Sequence, residues 1–429
     1  MVDGVTSSLE GKNAGSSLRK RANALAASLW SNWLWRVTLV YLGTRLLSGL
    51  IFVAALLIQP SVAGYWPQSG ESISFMEFMN IWDADWYRKI YEFGFGPAQG
   101  YPKILPLTPD GLVSENAWAF LPAYPFLIRI LTAVTTLPWL ILAPVVSTIF
   151  GWVFSVYAYK LFVQRFNANV SLWSLLLLLI SAASPILQTG YSEAMGLALL
   201  AYSLWLVTNR KYLVALAPLA IMAFTRPGIL AMSAALAGIF VVRWWQHRRR
   251  VADFAIEERL RVAILGVATF GLGMLWGNIA TWFTGVPEAY LKTELYWRLW
   301  ISPGEKFIPF DGWLKAGGFY FGTFLGPTVV LCLLGFVTLL MFTRSVRDLG
   351  LEMRMWAAAY ILYLVAVFYP QSSTFRLLLP AFVLFAAFGR STYYDKKWIK
   401  WGIVILSVAT QVLWIFVCWH FQHPDFTPP

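Results

Sequence analysis

Long apolar runs separated by short polar stretches recur along the whole chain. A run of about 18 or more apolar residues is long enough to cross a bilayer as a helix. The pattern predicts an all-α integral membrane protein, a polytopic bundle of about eleven transmembrane helices. The predicted spans are 33–58, 139–163, 171–188, 191–208, 212–224, 228–243, 262–284, 319–343, 355–369, 375–390 and 401–420.

A large outer loop, 59–137, interrupts this alternation after the first span, and its part 59–118 is polar and aromatic. Its stretch 75–93 has a helical pattern, and 94–109 is rich in Pro and Gly. The apolar run 119–137 carries Pro122, Pro125 and Arg129, and a proline removes a backbone hydrogen bond and kinks a helix. We interpret 119–137 as a re-entrant or interfacial helix. The expected organisation is a basic tail over 1–32, one membrane catalytic domain over 33–420 and a short outer tail over 421–429.

Composition agrees with a membrane protein and changes how the net charge is interpreted. The chain has 429 residues, of which 59% are hydrophobic and 13% are charged. Soluble domains carry roughly 45–50% apolar and about 25% charged residues. The net charge of +12 is therefore attributed to cytoplasmic loops, and no nucleic-acid partner is expected.

The distribution of Lys and Arg sets the expected topology. With the N-terminus inside and 119–137 not crossing, inner segments hold about twice as many Lys and Arg as outer segments. If 119–137 crossed, the basic run His247-Arg248-Arg249-Arg250 would lie outside, against the positive-inside rule. The first topology is preferred.

The sequence gives no indication of a bound metal or cofactor. Its two cysteines, Cys332 and Cys418, lie in apolar runs, and its three histidines do not cluster. No spacing is typical of zinc ligands. We expect no cofactor and leave a metal requirement open. No cleavable signal peptide is evident.

Polar residues that are unusual in a membrane protein fall on the predicted outer side. Ionisable groups at membrane depth are costly and usually mark function. On a helix, Asp83 and Tyr87 share a face, whereas Asp83 and Asp85 do not. One of these carboxylates is a candidate general base; the alternative is that both are solvated or cap a helix. The further candidates for this site are Tyr191, Glu193 and Glu294.

Four arginines are candidates for binding a phosphate, because the guanidinium presents a fork of donors. Arg226 stands beside a helix break, Arg376 and Arg298 lie in outer loops, and Arg45 lies within the first span. The alternatives are arginines that snorkel to the interface and, for Arg45, a structural ion pair.

The order of several motifs resembles the GPI mannosyltransferase II (PIG-V type) family and its bacterial relatives. The resemblance covers about 40–390 and departs from the family at Gly94-Phe95, where the family has Gly-Tyr, and at the extra acid Asp85. The motifs are Thr44-Arg45, Trp82-Asp83, Ala119-Phe120-Leu121-Pro122-Ala123-Tyr124-Pro125, Tyr191-Ser192-Glu193, Thr225-Arg226-Pro227-Gly228, Tyr296-Trp297 and Phe375-Arg376 with Pro380.

This resemblance implies a GT-C glycosyltransferase that uses a polyprenyl- or dolichyl-phosphate-linked mannose as donor and inverts the anomeric centre. It implies that Asp83, which matches the Trp-Asp acid, is the base. The acceptor stays open among a glycolipid, a glycan and a protein hydroxyl. A bacterial plasma membrane with the site on the outer face is expected, or the endoplasmic reticulum in a eukaryote. The alternatives are a lipid-linked sugar flippase or transporter and a non-catalytic partner in cell-envelope assembly.

Overall fold

The computed structural model describes residues 32–58, 73–96, 100–299, 301–302 and 306–419. The predicted tails lie outside these residues, apart from position 32, and so does 59–72 of the outer segment. The described part is helical, with a single β-bridge between Leu107 and Val113. Its α-helices, numbered in chain order, are α1 Trp33–Ile58, α2 Phe75–Phe78, α3 Asp83–Phe93, α4 Ala123–Thr135, α5 Trp139–Val163, α6 Ala168–Leu179, α7 Glu193–Thr208, α8 Tyr212–Ala223, α9 Ile229–Arg248, α10 Ile256–Thr284, α11 Ala289–Tyr296, α12 Asp311–Phe321, α13 Leu325–Met341, α14 Arg344–Arg347, α15 Leu351–Val367, α16 Thr374–Leu377, α17 Leu384–Thr392 and α18 Lys397–Cys418.

Five of these helices, α1, α5, α9, α10 and α18, are long and apolar enough to cross a membrane. The bent pair Thr374–Ala381 and Leu384–Thr392 makes a sixth candidate span. The polytopic helical prediction is confirmed, with α1 and α5 at the predicted bounds. A count of eleven is not confirmed, because several apolar helices, such as α6 and α8 with 12 residues each, are short of the usual spanning length.

The helix is interrupted within three of the predicted spans, and the last of these, 375–390, remains a candidate span as a bent pair. In 171–188, α6 ends at Leu179 and a 3₁₀ turn follows over Ser184–Gln188, with Pro185 in its first turn. In 319–343, Gly322 has a φ of +85° between α12 and α13. In 375–390, Pro380 lies in the 3₁₀ turn of a pair bent by 81°.

The run predicted as re-entrant or interfacial contains α4, which has only 13 residues. At about 1.5 Å per residue, α4 is roughly 20 Å long, too short for a hydrocarbon core of about 30 Å. The Ala123 amide donates to the Phe224 carbonyl at 2.8 Å, and Tyr91 donates to Thr132 at 3.2 Å. Both ends of α4 therefore contact elements next to the candidate site described below.

Helix ends gather at two opposite ends of the bundle. At the first, Trp82 donates to the Cys418 carbonyl at 3.1 Å and Trp419 donates to the Phe78 carbonyl at 2.7 Å. We call this the site end. At the second, Arg165 pairs with Glu352 at 3.5 Å, and Arg243 pairs with Glu258. Chain segments that are distant in sequence are thus joined at the site end.

Candidate active site

Helix α3 begins at the site end with Asp83. The preceding residue, Trp82, has a φ of +60°, which turns the chain abruptly into the helix. The first backbone N–H groups of a helix have no acceptor within the helix. The Asp83 amide donates instead to the Tyr191 hydroxyl at 3.2 Å. The Asp83 carboxylate pairs with the Arg376 guanidinium. Its side chain is 22% exposed, so solvent or a substrate can reach it.

Behind Asp83 lie three more ionised side chains. Glu193 contacts Arg226 at 2.9 Å and Arg376 at 3.0 Å through the same carboxylate oxygen. Asp83, Glu193, Arg226 and Arg376 form what we call the ion cluster. Two acids balance two bases, which is the condition under which charges are buried at tolerable cost. The Glu193 side chain is only 4% exposed, and Asp83 is the most exposed of the four.

Each member of the ion cluster comes from a different segment of the chain. Asp83 begins α3, Glu193 begins α7, Arg226 lies between α8 and α9, and Arg376 lies in the short helix α16. Gly196 allows this approach, because a Cβ added there would lie 2.8 Å from Arg226 Cγ. Four of the residues singled out in the sequence are therefore neighbours in the structure.

Two tyrosines support the cluster as neutral phenols. Tyr191 donates to the Ile81 carbonyl at 3.2 Å, and the Arg376 guanidinium lies 5.5 Å from its ring centroid. Tyr87 and Ser192 share a hydrogen bond of 2.6 Å. Burial raises the pKa of Tyr191 well above its ordinary value and raises the pKa of Tyr87 to about 12. Neither phenol is a base at neutral pH.

Helix α11 carries Glu294, and the turn that follows it carries Arg298, next to this region. Desolvation raises the pKa of Glu294, while the Arg298, Arg226 and Tyr290 side chains act in the opposite direction. The Arg298 guanidinium lies 5.1 Å from the Tyr369 ring centroid. Its Nη1 atom is buried without a hydrogen-bond partner among the described residues. Arg298 therefore retains donor capacity, as does Arg376, whose Nε atom is likewise buried without a partner in the described part of the chain.

The structure does not bring Asp85 and Arg45 into the ion cluster. Asp85 pairs with Arg88 and Lys89, each at 3.0 Å, on a different face of α3 from Asp83. Arg45 is buried and donates to the backbone carbonyls of Leu179 and Ser184. Those carbonyls lie where the chain leaves α6, so Arg45 satisfies groups that the helix break exposes.

Some neighbours of the site carried little or no signal in the sequence. Tyr290 interacts with Glu294, yet an isolated Tyr has no pattern that marks it. Ser192, which joins Tyr87, was marked only as the middle residue of the Tyr191-Ser192-Glu193 motif. In the part of the chain that the structure describes, no group of three His, Cys, Asp or Glu side chains is placed to hold a metal ion.

Chemically, the cluster presents one partly exposed carboxylate held in place by a buried arginine. An oriented carboxylate can accept a proton from a hydroxyl, and arginines close by can stabilise an anion. This combination suits a displacement in which a hydroxyl attacks and an anionic group leaves.

No protein-family model matches the chain, and no curated protein sequence matches it significantly. Solved structures match in part. An Archaeoglobus fulgidus oligosaccharyltransferase, in a complex with Zn and sulfate, is 14% identical with a TM-score of 0.42, over 87% of this chain and 53% of that one. The archaeal oligosaccharyltransferase AglB from A. fulgidus, with an inhibitory peptide and a dolichol-phosphate, is 13% identical with a TM-score of 0.42, over 88% and 55%. This chain thus spans about half the length of those chains, and likeness at this level assigns it neither a family nor an activity.

Proposed function

We propose that this protein is a membrane glycosyltransferase of the GT-C type. It moves a sugar, mannose by the resemblance, from a polyprenyl-phosphate donor to an acceptor hydroxyl, with inversion. The observation that carries the proposal is the ion cluster. Its four residues come from four of the motifs in the resemblance, Trp-Asp, Tyr-Ser-Glu, Thr-Arg and Phe-Arg, and they are far apart in sequence.

Asp83 is the base in this proposal. The acceptor hydroxyl attacks the anomeric carbon of the donor as its proton passes to the Asp83 carboxylate. The bond from the anomeric carbon to the phosphate oxygen breaks on the opposite face, and its electrons leave with the polyprenyl phosphate. A single displacement of this kind inverts the anomeric centre. Arg376 holds Asp83 in position, and a positioned base contributes about 10²–10⁴ in rate.

Arginines at the site end stabilise the phosphate as it leaves. A leaving phosphate gains negative charge in the transition state, so fixed cationic donors act most strongly there. Arg226 and Arg376 pair with Glu193 and Asp83, and among the described residues Arg298 Nη1 and Arg376 Nε are buried donors without a hydrogen-bond partner. We assign the binding of the donor phosphate to Arg298, together with the guanidinium nitrogens of Arg226 and Arg376 that do not contact Glu193 or Asp83. Arg45 leaves the donor-binding set because its Nη1 and Nη2 atoms donate to backbone carbonyls at the end of α6, away from the ion cluster.

The proposed setting is a multi-pass membrane protein, with the site on the outer face of a bacterial plasma membrane. The acceptor is a glycolipid, a glycan or a protein hydroxyl. A transporter of lipid-linked sugars would place polar groups near the bilayer midplane in several spans. The ion-cluster residues instead stand at helix starts, a helix break and a bent helix pair, which favours the transferase.

The test is donor turnover by purified protein in lipid bilayers. Polyprenyl-phosphate mannose labelled in the sugar is supplied with a mixture of glycan and glycolipid acceptors. The proposal predicts release of unlabelled polyprenyl phosphate together with a labelled product. Asp83→Asn protein is the control for contaminating enzymes. Movement of intact donor across the bilayer without its cleavage would support the transporter instead.

A further inference from the structure

Two cavities border helix α3 at the site end, and the ion-cluster side chains line neither of them. The first has a volume of about 230 Å³ and is lined by Glu77, Asn80, Asp85 and Arg88, among others. The second, of about 590 Å³, is lined by Trp86, Lys103 and Glu115, together with prolines. Ligand cavities in proteins are typically about 300–1,000 Å³, and the larger cavity falls within that range.

Lys89 lines both cavities. Its ammonium lies 3.0 Å from Asp85, which lines the first, and 4.2 Å from the ring centroid of Trp86, which lines the second. The two cavities thus adjoin each other at Lys89. Together they form what we call the α3 groove, and each cavity is one of its two compartments.

The charges that line the α3 groove cancel. Its carboxylates number three and its cations number three, and both kinds are spread over the two compartments. They are Glu77, Asp85 and Glu115 on one side and Arg88, Lys89 and Lys103 on the other. A surface for an anionic headgroup would carry excess positive charge. A balanced set of donors and acceptors suits a neutral ligand that is rich in hydroxyl groups.

The walls of the groove between these charges are aromatic and apolar. Trp82 lines the smaller compartment, and Trp86, Pro102 and Pro106 line the larger one. The Trp86 ring is held by stacking on Phe120 at 5.7 Å. Rigid apolar surface with a few oriented polar groups is the usual construction of a small-molecule site. Sugar rings offer both an apolar C–H face and polar hydroxyls, so they match these walls.

We propose that the α3 groove binds the acceptor and that the acceptor is a neutral glycan of at least two sugar units. This inference rests on the proposed function, which leaves the acceptor class open. Trp86 lies three residues after Asp83, so the two are neighbours on the surface of α3. A glycan that occupies the groove has one end beside the helix face that carries the proposed base. The groove thereby favours a glycan over a protein hydroxyl.

The test measures glycan binding without donor, so that it does not depend on catalysis. The probes are a neutral manno-trisaccharide and methyl mannoside, and their Kd values are measured by thermophoresis with the full chain in lipid nanodiscs. The groove variant is Lys103→Gln with Glu115→Gln, at two exposed positions. The matched control is Lys292→Gln with Asp110→Asn, at two exposed positions outside both cavities.

We expect the trisaccharide to bind about tenfold more tightly than methyl mannoside, and the groove variant to weaken trisaccharide binding about tenfold. Loss of two hydrogen bonds accounts for a change of that size. The control variant should bind as the unmodified protein does. A diazirine-labelled trisaccharide should crosslink within 77–89 or 100–117. The proposal would be overturned if the trisaccharide did not bind, if the groove and control variants had equal Kd values, or if crosslinks formed only outside these ranges. It would also be overturned if co-purified lipid occupied the groove and the trisaccharide could not displace it.

The same assay on Asp83→Asn protein separates this inference from the proposed function. If Asp83→Asn protein binds the trisaccharide and also transfers sugar, the groove stands and the assignment of the base is wrong. If Asp83→Asn protein has lost transfer and the trisaccharide does not bind to either form, the transferase stands and the groove is wrong.

Discussion

Replacement of Glu193 by Gln tests whether the ion cluster is a balanced set of buried charges. Glu193→Gln keeps the shape of the side chain and removes its charge, leaving two arginines to share Asp83. Glu193 contacts both arginines within 3.0 Å and is 4% exposed, so little solvent screening is available. Removing one partner of a buried ion pair typically costs about 3–5 kcal/mol. For a chain of this size, that is a fall in Tm of about 3–6 °C.

Glu257→Gln is the matched control for this measurement. Glu257 contacts Arg261 at 2.9 Å, much the same distance, but it is 76% exposed. Exposed pairs of this kind contribute about 0.3–0.5 kcal/mol, so its Tm should change by no more than about 1 °C. Tm is measured by intrinsic tryptophan fluorescence in one detergent.

A double variant sharpens the same test. Glu193→Gln combined with Arg226→Gln removes one charge of each sign and restores the balance. Its loss of stability should be smaller than the sum of the two single losses, because residues in one ionic network are not additive. A Tm loss for Glu193→Gln no larger than that for Glu257→Gln would refute the account of the cluster. Strict additivity in the double variant would refute it as well.

Three further outcomes are expected. Arg376→Lys should lower kcat by at least about tenfold, because a flexible ammonium does not keep the fixed position in which Arg376 Nη1 contacts both Asp83 and Glu193. An unchanged kcat in the transfer assay would remove Arg376 from the site. Arg45→Met should lower the free energy of unfolding by about 2–4 kcal/mol, since the carbonyls of Leu179 and Ser184 lose a charged donor. Unfolding in guanidinium chloride measures this loss, with Arg261→Gln as the control variant. The pKa of Glu294 is raised in the folded protein. The wild type should therefore lose stability relative to Glu294→Gln as the pH rises from about 4.3, the ordinary glutamate pKa, towards the raised value. A Tm difference between the two proteins that is constant from about pH 4 to 8 would contradict this.

Hydropathy was enough to predict the long helices and not enough to predict where the chain leaves them. The bounds of α1 and α5 were predicted correctly, because continuous apolar runs with polar ends determine them. The run 171–188 is equally apolar and still breaks after Leu179. Average hydropathy does not respond to a proline in a turn or to a glycine with a positive φ, so the breaks at Gly322 and Pro380 were missed for the same reason.

The residues of the ion cluster could be singled out one at a time, but their pairing could not. An ionisable residue near a membrane span is conspicuous in any sequence. Asp83 and Arg376 are 293 positions apart, and only the packing of the intervening helices decides that they meet. Arg45, midway through the first span, was expected to bind phosphate or to form a structural ion pair. Its partners are backbone carbonyls, which no pattern of side chains indicates.

Which of Asp83 and Asp85 belongs to the ion cluster could likewise be decided only from the structure. Their spacing predicted that they point to different faces of a helix, and both were candidates for the base. The contacts assign Asp83 to Arg376 inside the site end and Asp85 to Arg88 and Lys89 beside the α3 groove. This difference gives the two carboxylates different expected roles in transfer.

The most direct test of the central claim compares Asp83→Asn with Asp85→Asn in single-turnover transfer from labelled polyprenyl-phosphate mannose. Both variants are first matched to wild type in Tm and in donor affinity. With acceptor at saturation, so that weaker binding in the α3 groove does not limit the rate, Asp83→Asn should lose about 10²–10⁴ in the rate of transfer, whereas Asp85→Asn should keep a rate within a few-fold of wild type. Transfer at the wild-type rate by Asp83→Asn would contradict the account, and loss of transfer by Asp85→Asn alone would exchange the roles of the two carboxylates.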